Sequence, residues 1–282
     1  MISVDEIKRL AISLGVDPPV VDRDYVLGCF LHFLSKQSEA KTSWIFKGGT
    51  ALRKCYFAGY RFSEDLDFTA TDRMTTTAIR RIVLAASMAL HQGAGIRTDE
   101  REIMVETIND DYGKEAYEAK VYYRGPWNYG GMPAALKIHV SRDESLIFVP
   151  NDKFIIHPYS DKDDLPTSSF RVYSLEEILS EKLRAFSGQR RHAIARDIYD
   201  IHHVSKSNAE IERALNAFPK KCQVKGIIPA DIDTDHVIRR RSEYEDNWRN
   251  NLEYLIPANM NTTFEEAWDT SIELLRKALS KV

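Results

Sequence analysis

Two aspartates separated by one residue, Asp65 and Asp67, have the types and spacing that point most directly to chemistry. On a β-strand, side chains two positions apart lie on the same face, so the two carboxylates would be close together. Mg²⁺ prefers oxygen ligands and keeps coordination positions for substrate phosphates. Such a pair could hold ions that align an attacking hydroxyl with a nucleotide α-phosphate. The alternative is a solvated strand end, because exposed acids are common.

A glycine-rich turn, Gly48-Gly49-Thr50, shortly precedes the acidic pair. It follows the apolar run 44–46 and precedes the helical pattern of residues 51–55, which predicts a strand, a turn and a helix. Glycines let the backbone approach phosphate oxygens, and a helix N-terminus offers free amides. Alone, the motif could be an ordinary strand-to-helix turn. Together with the aspartates, in this order, it predicts a site for a metal ion and a nucleotide.

A second charged cluster surrounds Lys182. Lys182 shares a helix face with the apolar Ala185 and Phe186, which predicts that its side chain points inward. An inward lysine needs an anionic partner. A nucleotide triphosphate is one candidate, and a structural ion pair with Asp197 or Asp200 is the other.

The elements that position these residues form an α/β half followed by a helical half. The patterns predict helices at 4–14, 20–36 and 75–91, with Pro18-Pro19 breaking the pattern between the first two, and strands at 44–46, 62–68, 118–123, 135–140 and 153–157. Residues 125–131 are predicted to form a hairpin loop. A capping box from Ser174 to Glu177 opens the helical half, with further helices at 195–206, 208–217, 236–254 and 263–281. We therefore expect domains at 1–170 and 171–282.

Composition excludes several classes of protein. The chain of 282 residues is 43% hydrophobic, which supports a folded core, and its net charge of −3 excludes a wholly basic nucleic-acid binder. Three scattered cysteines indicate neither a zinc site nor a disulfide framework. No membrane span or leader pattern is present, so we expect a cytoplasmic protein.

Residues 46–52 and 61–68 resemble the first motif of the nucleotidyl transferase AbiEii/AbiGii toxin family. The resemblance implies an α/β, polymerase-β-like nucleotidyltransferase domain with a mixed sheet, followed by a mostly helical C-terminal domain. It implies that Asp65 and Asp67 hold Mg²⁺. It also implies a nucleotide-binding mouth formed by Gly48, Gly49, Thr50 and Ser63.

Two later segments, 181–185 and 196–201, resemble the Glu-Lys-x-x-Ala and Arg-Asp-x-Tyr-Asp-Leu patterns of the same family, so that the resemblance covers about residues 40–205. By this resemblance Lys182 contacts the triphosphate, and Asp197 orients a catalytic group or acts near the attacking hydroxyl. The chain departs from the family at His139, where many relatives carry a third acid. His139 could accept a proton or be a half-buried strand residue without chemistry. Asp197, Asp143 or Glu144 could supply the missing carboxylate.

The resemblance implies a toxin of a toxin–antitoxin or abortive-infection pair, with a cognate antitoxin as partner. It would transfer a nucleoside monophosphate from an NTP to RNA, in particular to the 3′ end of tRNA, and so block translation. Two alternatives are nucleotide transfer onto a protein side chain and an inactive nucleotide-binding module. Basic residues with nearby aromatics suit RNA, although a solvated helix face is equally consistent. The candidates are Arg184, Arg190, Arg191 and Arg196, with a second cluster at 239–241 beside Tyr244 and Trp248.

Overall fold

The computed structural model describes residues 1–99, 103–109, 113–142, 144–188 and 190–282. The chain divides into two compact units. The first comprises residues 1–143, 150–172 and 255–259, and the second comprises 144–149, 173–254 and 260–282. The short segment 144–149 therefore leaves the first unit between two of its strands.

The first unit is built on a mixed eight-stranded sheet. Its strands are β1 (Trp44–Lys47), β2 (Asp65–Ala70), β3 (Arg97–Thr98), β4 (Met104–Asn109), β5 (Glu115–Arg124), β6 (Ala134–Ser141), β7 (Asn151–Phe154) and β8 (Ser169–Val172). The order across the sheet is β3-β5-β6-β2-β1-β8-β7, and β4 pairs with β5 on the same edge as β3. Strand β2 runs parallel to β6 and antiparallel to β1. The acidic pair therefore lies on a central strand.

Within the described residues, five α-helices accompany the sheet of the first unit. They are α1 (Val4–Leu14), α2 (Pro18–Leu34), α3 (Ser38–Ser43), α4 (Gly48–Ala51) and α5 (Thr76–Ala94), and a π-helical turn, Leu52–Tyr56, continues α4. The two prolines at positions 18 and 19 open α2 rather than only interrupting the pattern, because the first helical positions need no intrahelical N–H donor. Side chains of α2 and α5 pack into one hydrophobic core with a single face of the sheet, where Leu66, Phe68 and Ile138 are fully buried.

The second unit is helical. Its helices are α6 (Leu175–Phe186), α7 (Ala195–Ser205), α8 (Ile211–Val224), α9 (Thr234–Arg239), α10 (Arg241–Asn251) and α11 (Phe264–Leu279), and Pro229–Asp231 forms a 3₁₀ turn. The expected helix at 236–254 is thus two helices that meet at Arg240. Helix α8 continues past the expected end at 217 and contains Pro219. Among the described residues, no helix is both long enough and apolar enough to cross a membrane.

Helix α6 begins differently from the predicted capping box. The Ser174 hydroxyl accepts the amide of Glu177, as expected, at 3.2 Å. The Glu177 carboxylate, however, accepts the backbone amides of Ile147 and Phe148 at 3.0 and 2.8 Å. Glu177 therefore anchors the segment 144–149 by hydrogen bonds instead of accepting the backbone amide of Ser174.

Candidate active site

The carboxylates of Asp65 and Asp67 lie on the outward face of β2. Both side chains are partly exposed, whereas Leu66 and Phe68, which alternate with them, are fully buried in the core. The strand period of two produces this separation, because burying Leu66 and Phe68 fixes the aspartates on the other face. The sheet thus presents two acids to the exterior side by side.

The glycine turn lies directly against this acidic pair. Gly48 has a φ of +79°, a left-handed conformation that side chains with a Cβ rarely adopt. A Cβ at position 48 would lie 2.5 Å from Oδ2 of Asp67. Glycine is therefore required twice, for its backbone conformation and for the close approach of the Asp67 carboxylate.

Buried contacts of Thr50 and Gly49 fix the position of the turn. Thr50 is fully buried, and its hydroxyl donates to the backbone carbonyl of Asp65. A Cβ at Gly49 would collide with the guanidinium of Arg61, which is buried and donates to the Phe62 carbonyl at 3.1 Å. The Thr50 hydroxyl is therefore used in an internal hydrogen bond, and any phosphate contact of Thr50 would come from its backbone amide.

Ser63 lies just ahead of the acidic pair, in the non-helical segment that leads into β2, and its side chain is mostly buried. The expected strand at 62–68 begins only at Asp65, where the pairing with β6 starts. Ser63 therefore belongs to the connecting segment before β2 and not to the strand itself.

His139 lies between two carboxylates at the same level of the sheet. Strand pairing places Asp67, His139 and Glu118 opposite one another on β2, β6 and β5. Nε2 of His139 is 2.8 Å from Oε2 of Glu118, and Nδ1 is 3.4 Å from Oδ1 of Asp67. The imidazole thus bridges the acidic pair to an acid two strands away.

The charge state of His139 follows from these neighbours. The hydrogen bond with Asp67 outweighs burial, and with the further help of Glu118 it raises the pKa of His139 to about 9. An imidazole with this pKa is protonated at pH 7, and both nitrogens are then donors. In this state His139 is a cation between two acids and not the neutral proton acceptor that its residue type allowed.

Glu118 is a residue of this site that the sequence patterns did not single out. It also pairs with Lys120 at 2.8 Å, and this hydrogen bond lowers the pKa of Glu118. The predicted loop at 125–131 does not reveal this contact, because a hairpin symmetric about residue 128 would pair position 118 with position 138. The observed register pairs Glu118 with His139, and a difference of one residue moves a side chain to the other face of the sheet.

The two aspartates fit a magnesium ion. Among the described residues, no group of three or more His, Cys, Asp or Glu is arranged to hold a metal ion. Mg²⁺ does not need such a cage, since it is usually bound by one or two carboxylates together with substrate phosphates and water. Partly exposed carboxylates that meet a glycine backbone turn provide that kind of incomplete site. His139 is unsuited as a ligand because Mg²⁺ prefers oxygen.

In the second unit, Lys182 has the structural ion pairs that were one of its two expected roles. Its amine lies 2.7 Å from Oδ1 of Asp197 and 2.9 Å from Oδ2 of Asp200. Arg190 contacts the other oxygen of Asp197 at 2.7 Å. Although burial opposes ionisation of Asp197, the charges of Lys182 and Arg190 lower its pKa. These residues form a charged network around an ionised Asp197.

The other candidates for a third acid are engaged elsewhere or not described. Glu144 lies 2.9 Å from the amine of Lys225 and 4.0 Å from Arg184, and all three side chains are almost completely buried. Asp143 lies outside the described residues. Glu118, in contrast, is connected to Asp67 through His139.

Three residues of the expected RNA surface, Arg184, Tyr244 and Trp248, are buried and therefore do not belong to it. Arg184 is 5% exposed and next to Glu144, so its charge is used inside the helical unit. Arg191 is exposed, and Arg190 and Arg196 are partly exposed. Tyr244 and Trp248 are 3% and 4% exposed, and they pack in an aromatic cluster with Phe186, Phe264 and Trp268. They cannot stack on bases from that position.

Comparison with known families places these motifs in one context. The family model described as nucleotidyl transferase AbiEii toxin, type IV toxin–antitoxin system, matches residues 32–270. The match includes the glycine turn, the acidic pair, His139 and the Lys182 network. No curated protein sequence matches the chain significantly.

Solved structures share the fold. The chain is similar to MenT4, a nucleotidyltransferase toxin from Mycobacterium tuberculosis, with a TM-score of 0.63, 20% identity and 99% of each chain covered. It is also similar to JHP933 from Helicobacter pylori, with a TM-score of 0.57, 20% identity and coverage of 94% of this chain and 95% of that one. A putative nucleotidyltransferase from H. pylori has a TM-score of 0.56 and 19% identity, with coverage of 94% and 97%. The α/β fold with a mixed sheet and a helical C-terminal part is confirmed.

Proposed function

The chain belongs to the nucleotidyl transferase AbiEii toxin family of type IV toxin–antitoxin systems, and from this premise we propose that it transfers a nucleoside monophosphate from an NTP to an RNA acceptor. The observation that carries the proposal is the contact between the glycine turn and the acidic pair. Gly48 has no room for a Cβ because Asp67 lies against it. A phosphate bound by the turn would therefore meet the carboxylates directly.

The reaction needs little covalent participation by the protein. An acceptor hydroxyl oxygen bonds to the α-phosphorus, the bond to the bridging α–β oxygen breaks, and pyrophosphate leaves with the electron pair. The proton of the hydroxyl passes to solvent or a nearby base. Bound Mg²⁺ would polarise the α-phosphate and neutralise the leaving pyrophosphate. Asp65 and Asp67 would hold that ion, and the backbone of Gly48, Gly49 and Thr50 would orient the phosphates, with Ser63 beside them.

Lys182 and Asp197 contribute to nucleotide binding in this proposal. The support is the family pattern around Lys182 and the geometry of its amine, which Asp197 and Asp200 hold in a fixed position. A fixed lysine can counter triphosphate charge as a point charge. Asp197 is then a positioning residue for Lys182. The Lys182→Met variant should raise KM for the NTP as well as lower the free energy of unfolding, whereas loss of a purely structural ion pair would change stability alone.

The acceptor is proposed to be the 3′ end of tRNA, because a blocked tRNA end stops translation and so accounts for a toxin. Exposed basic residues of the helical unit, among them Arg191, are consistent with an RNA backbone. The toxin–antitoxin character of the family implies a separate antitoxin as partner. With such an acceptor and partner, the protein would act in the cytoplasm.

One labelling experiment tests the reaction class. The protein is incubated with magnesium, total tRNA and each α-labelled NTP in turn, and the product is treated with RNase or with protease. Label that RNase removes supports the proposal. Label that only protease removes would show transfer onto a protein side chain. Magnesium-dependent NTP binding without any labelled product would show a binding module and would contradict the proposal.

A further inference from the structure

The outward face of the sheet continues beyond the acidic pair as a strip of basic and aromatic side chains. Strand pairing places Asp65, Lys137 and Lys120 at one level, and Ala135 and Tyr122 at the next. Arg124 follows two residues after Tyr122, paired with Arg97 of β3. Because residues two apart share a face, all of these side chains lie on the face of Asp65 and Asp67. We call Arg97, Lys120, Tyr122, Arg124 and Lys137 the basic strip.

The side chains of the basic strip reach solvent, and the strip carries positive charge. Lys137 and Arg97 are exposed, and Tyr122 and Arg124 are partly exposed. Lys120 pairs with Glu118 at the acidic end. Within the part of the chain that the structure describes, no acidic side chain lies at ion-pair distance from Lys137, Arg124 or Arg97. Three cations therefore face solvent along a sheet that begins at two carboxylates.

The hairpin loop between β5 and β6 adds aromatic rings at the far end of the strip. Tyr129 and Trp127 are 41% and 37% exposed, unusually open for rings of this size. The guanidinium of Arg97 lies 4.4 Å from the centroid of the Tyr129 ring. The cation of the strip and the ring of the loop thus form one surface.

The loop is anchored rather than free. Asp22 of α2, which is almost fully buried, accepts the amide of Trp127 at 2.9 Å. A Cβ at Gly125 would lie 2.5 Å from Oδ1 of Asp22, so the loop backbone passes directly over this carboxylate. Exposed rings on a backbone held in this way lose little conformational freedom when a ligand stacks on them.

We propose that the basic strip and the loop aromatics bind the single-stranded end of the RNA acceptor and lead its terminal hydroxyl to Asp65 and Asp67. This inference rests on the proposed function for the identity of the acceptor. From Glu118, at the level of Asp67, to Arg124, strand β5 spans seven residues, or about 20 Å for six steps of about 3.3 Å. A mononucleotide does not need this length, whereas a strand of several nucleotides does.

Charge and ring placement select single-stranded RNA among the partners. Cations along a groove or strip follow the phosphate backbone, and exposed rings stack on bases that are not paired. A duplex would offer its phosphates but not its base faces. The acidic pair, where the proposed NTP and its Mg²⁺ would bind, lies at one end of the strip. That end is therefore where the terminal hydroxyl of the acceptor would meet the nucleotide.

The test compares RNA binding by matched variants without NTP, so that no transfer is required. Fluorescence anisotropy is measured with a labelled twelve-nucleotide single-stranded RNA over a range of salt concentrations. Lys137→Ala with Arg124→Ala should weaken binding about tenfold at low salt and reduce the salt slope by about 1.4, the value for two lost phosphate contacts on a single strand. Lys8→Ala with Arg9→Ala, which removes two exposed cations of α1, is the control and should change neither.

Ring substitutions test the stacking part. Tyr129→Ala should weaken binding several-fold, and Tyr129→Phe should retain it, because stacking needs the ring and not the hydroxyl. A duplex of the same length should compete poorly for the protein.

Three results would overturn the inference: no RNA binding by the wild type, equal losses in the strip and control pairs, or equal binding of duplex. Magnesium-dependent binding of a fluorescent NTP analogue is measured on the same variants and should be unchanged. Retained NTP binding and RNA labelling with no role for the strip would refute this surface alone, whereas absence of any labelled product would refute the proposed function.

Discussion

At position 48, a left-handed backbone meets an acidic side chain, and this single residue sets the distance between the glycine turn and the acidic pair. Gly59 gives a natural comparison, because it has a similar φ of +77° but a Cβ at that position would meet nothing within 4 Å. Comparing alanine variants at the two positions therefore separates the free-energy cost of the left-handed backbone from the cost of the contact with Asp67.

We expect Gly48→Ala and Gly59→Ala to behave differently. Each forces a left-handed alanine, which costs about 1 kcal/mol of unfolding free energy. Only Gly48→Ala also pushes a methyl group against Asp67, so only this variant should lose nucleotide transfer, by at least about tenfold. Urea unfolding and the RNA-labelling rate give the two quantities. Equal transfer rates in the two variants would show that the contact with Asp67 is unimportant.

Asp22 and Asp24 of α2 have side-chain pKa values shifted in opposite directions. We therefore expect the substitution of each to have opposite effects on the free energy of unfolding. Burial, opposed more weakly by the amide of Trp127 and by Arg23, raises the pKa of Asp22 to about 6 from 3.8. A raised acid pKa means that the folded state binds the proton more tightly than the unfolded state. Stability from this group is therefore complete below about pH 4 and is lost as pH rises through 6.

The variant Asp22→Asn should remove this dependence. At pH 8 its free energy of unfolding should exceed that of the wild type, by up to roughly 3 kcal/mol for a shift of about two pH units. At about pH 4 the difference should be small. Asp24→Asn is the control, since Arg53 and Lys54 outweigh the effect of burial and lower the pKa of Asp24. It should destabilise the protein by about 3–5 kcal/mol, because it leaves two buried cations without their charge partner. A stability profile of Asp22→Asn parallel to that of the wild type would contradict the assignment.

At the scale of elements, Glu177 shows how one helix holds a segment that its own sequence pattern did not reveal. The carboxylate accepts the amides of Ile147 and Phe148, and the buried amine of Lys221 contacts both Glu177 and Glu181. Capping chemistry explained the Ser174 hydroxyl correctly, because that bond is local. The destination of the Glu177 side chain was not predictable, because its partners lie 29 and 30 residues away in the chain.

Replacing Glu177 with Ala should destabilise the helical unit by about 3 kcal/mol, since it removes the carboxylate that accepts two amides and contacts a fully buried lysine. Glu176→Ala is the matched control in the same helical turn, where the side chain is only partly buried and accepts one amide, that of Glu210, at 2.9 Å. Its cost should stay near about 1 kcal/mol or below. Chemical unfolding monitored by tryptophan fluorescence measures both. Similar costs for the two variants would contradict the anchoring role.

At the scale of the molecule, local patterns predicted most elements and the fold class. Alternation of acids with Leu66 and Phe68 predicted the orientation of the acidic pair, and the family resemblance predicted the mixed sheet with its helical C-terminal part. Contacts between distant segments escaped the sequence patterns. Tyr244 and Trp248 were candidates for RNA contact because they lie near arginines in sequence, but the packing of α10 against α7 and α11 buries them. Glu118 was missed because its role depends on strand register across β5, β6 and β2.

The proposed function requires the acidic pair beside the glycine turn to be the catalytic metal and nucleotide site. The most direct test measures magnesium-dependent transfer of α-labelled NTP to tRNA by the wild type, by Asp65→Asn with Asp67→Asn, and by the control Asp72→Asn. Asp72 is an exposed acid that contacts Ser43 at 2.7 Å, beyond the end of the same strand. We expect RNase-sensitive label with the wild type and the control, none without magnesium, and labelling lower by roughly a hundredfold or more with the double variant. Undiminished labelling by the folded double variant would contradict the account.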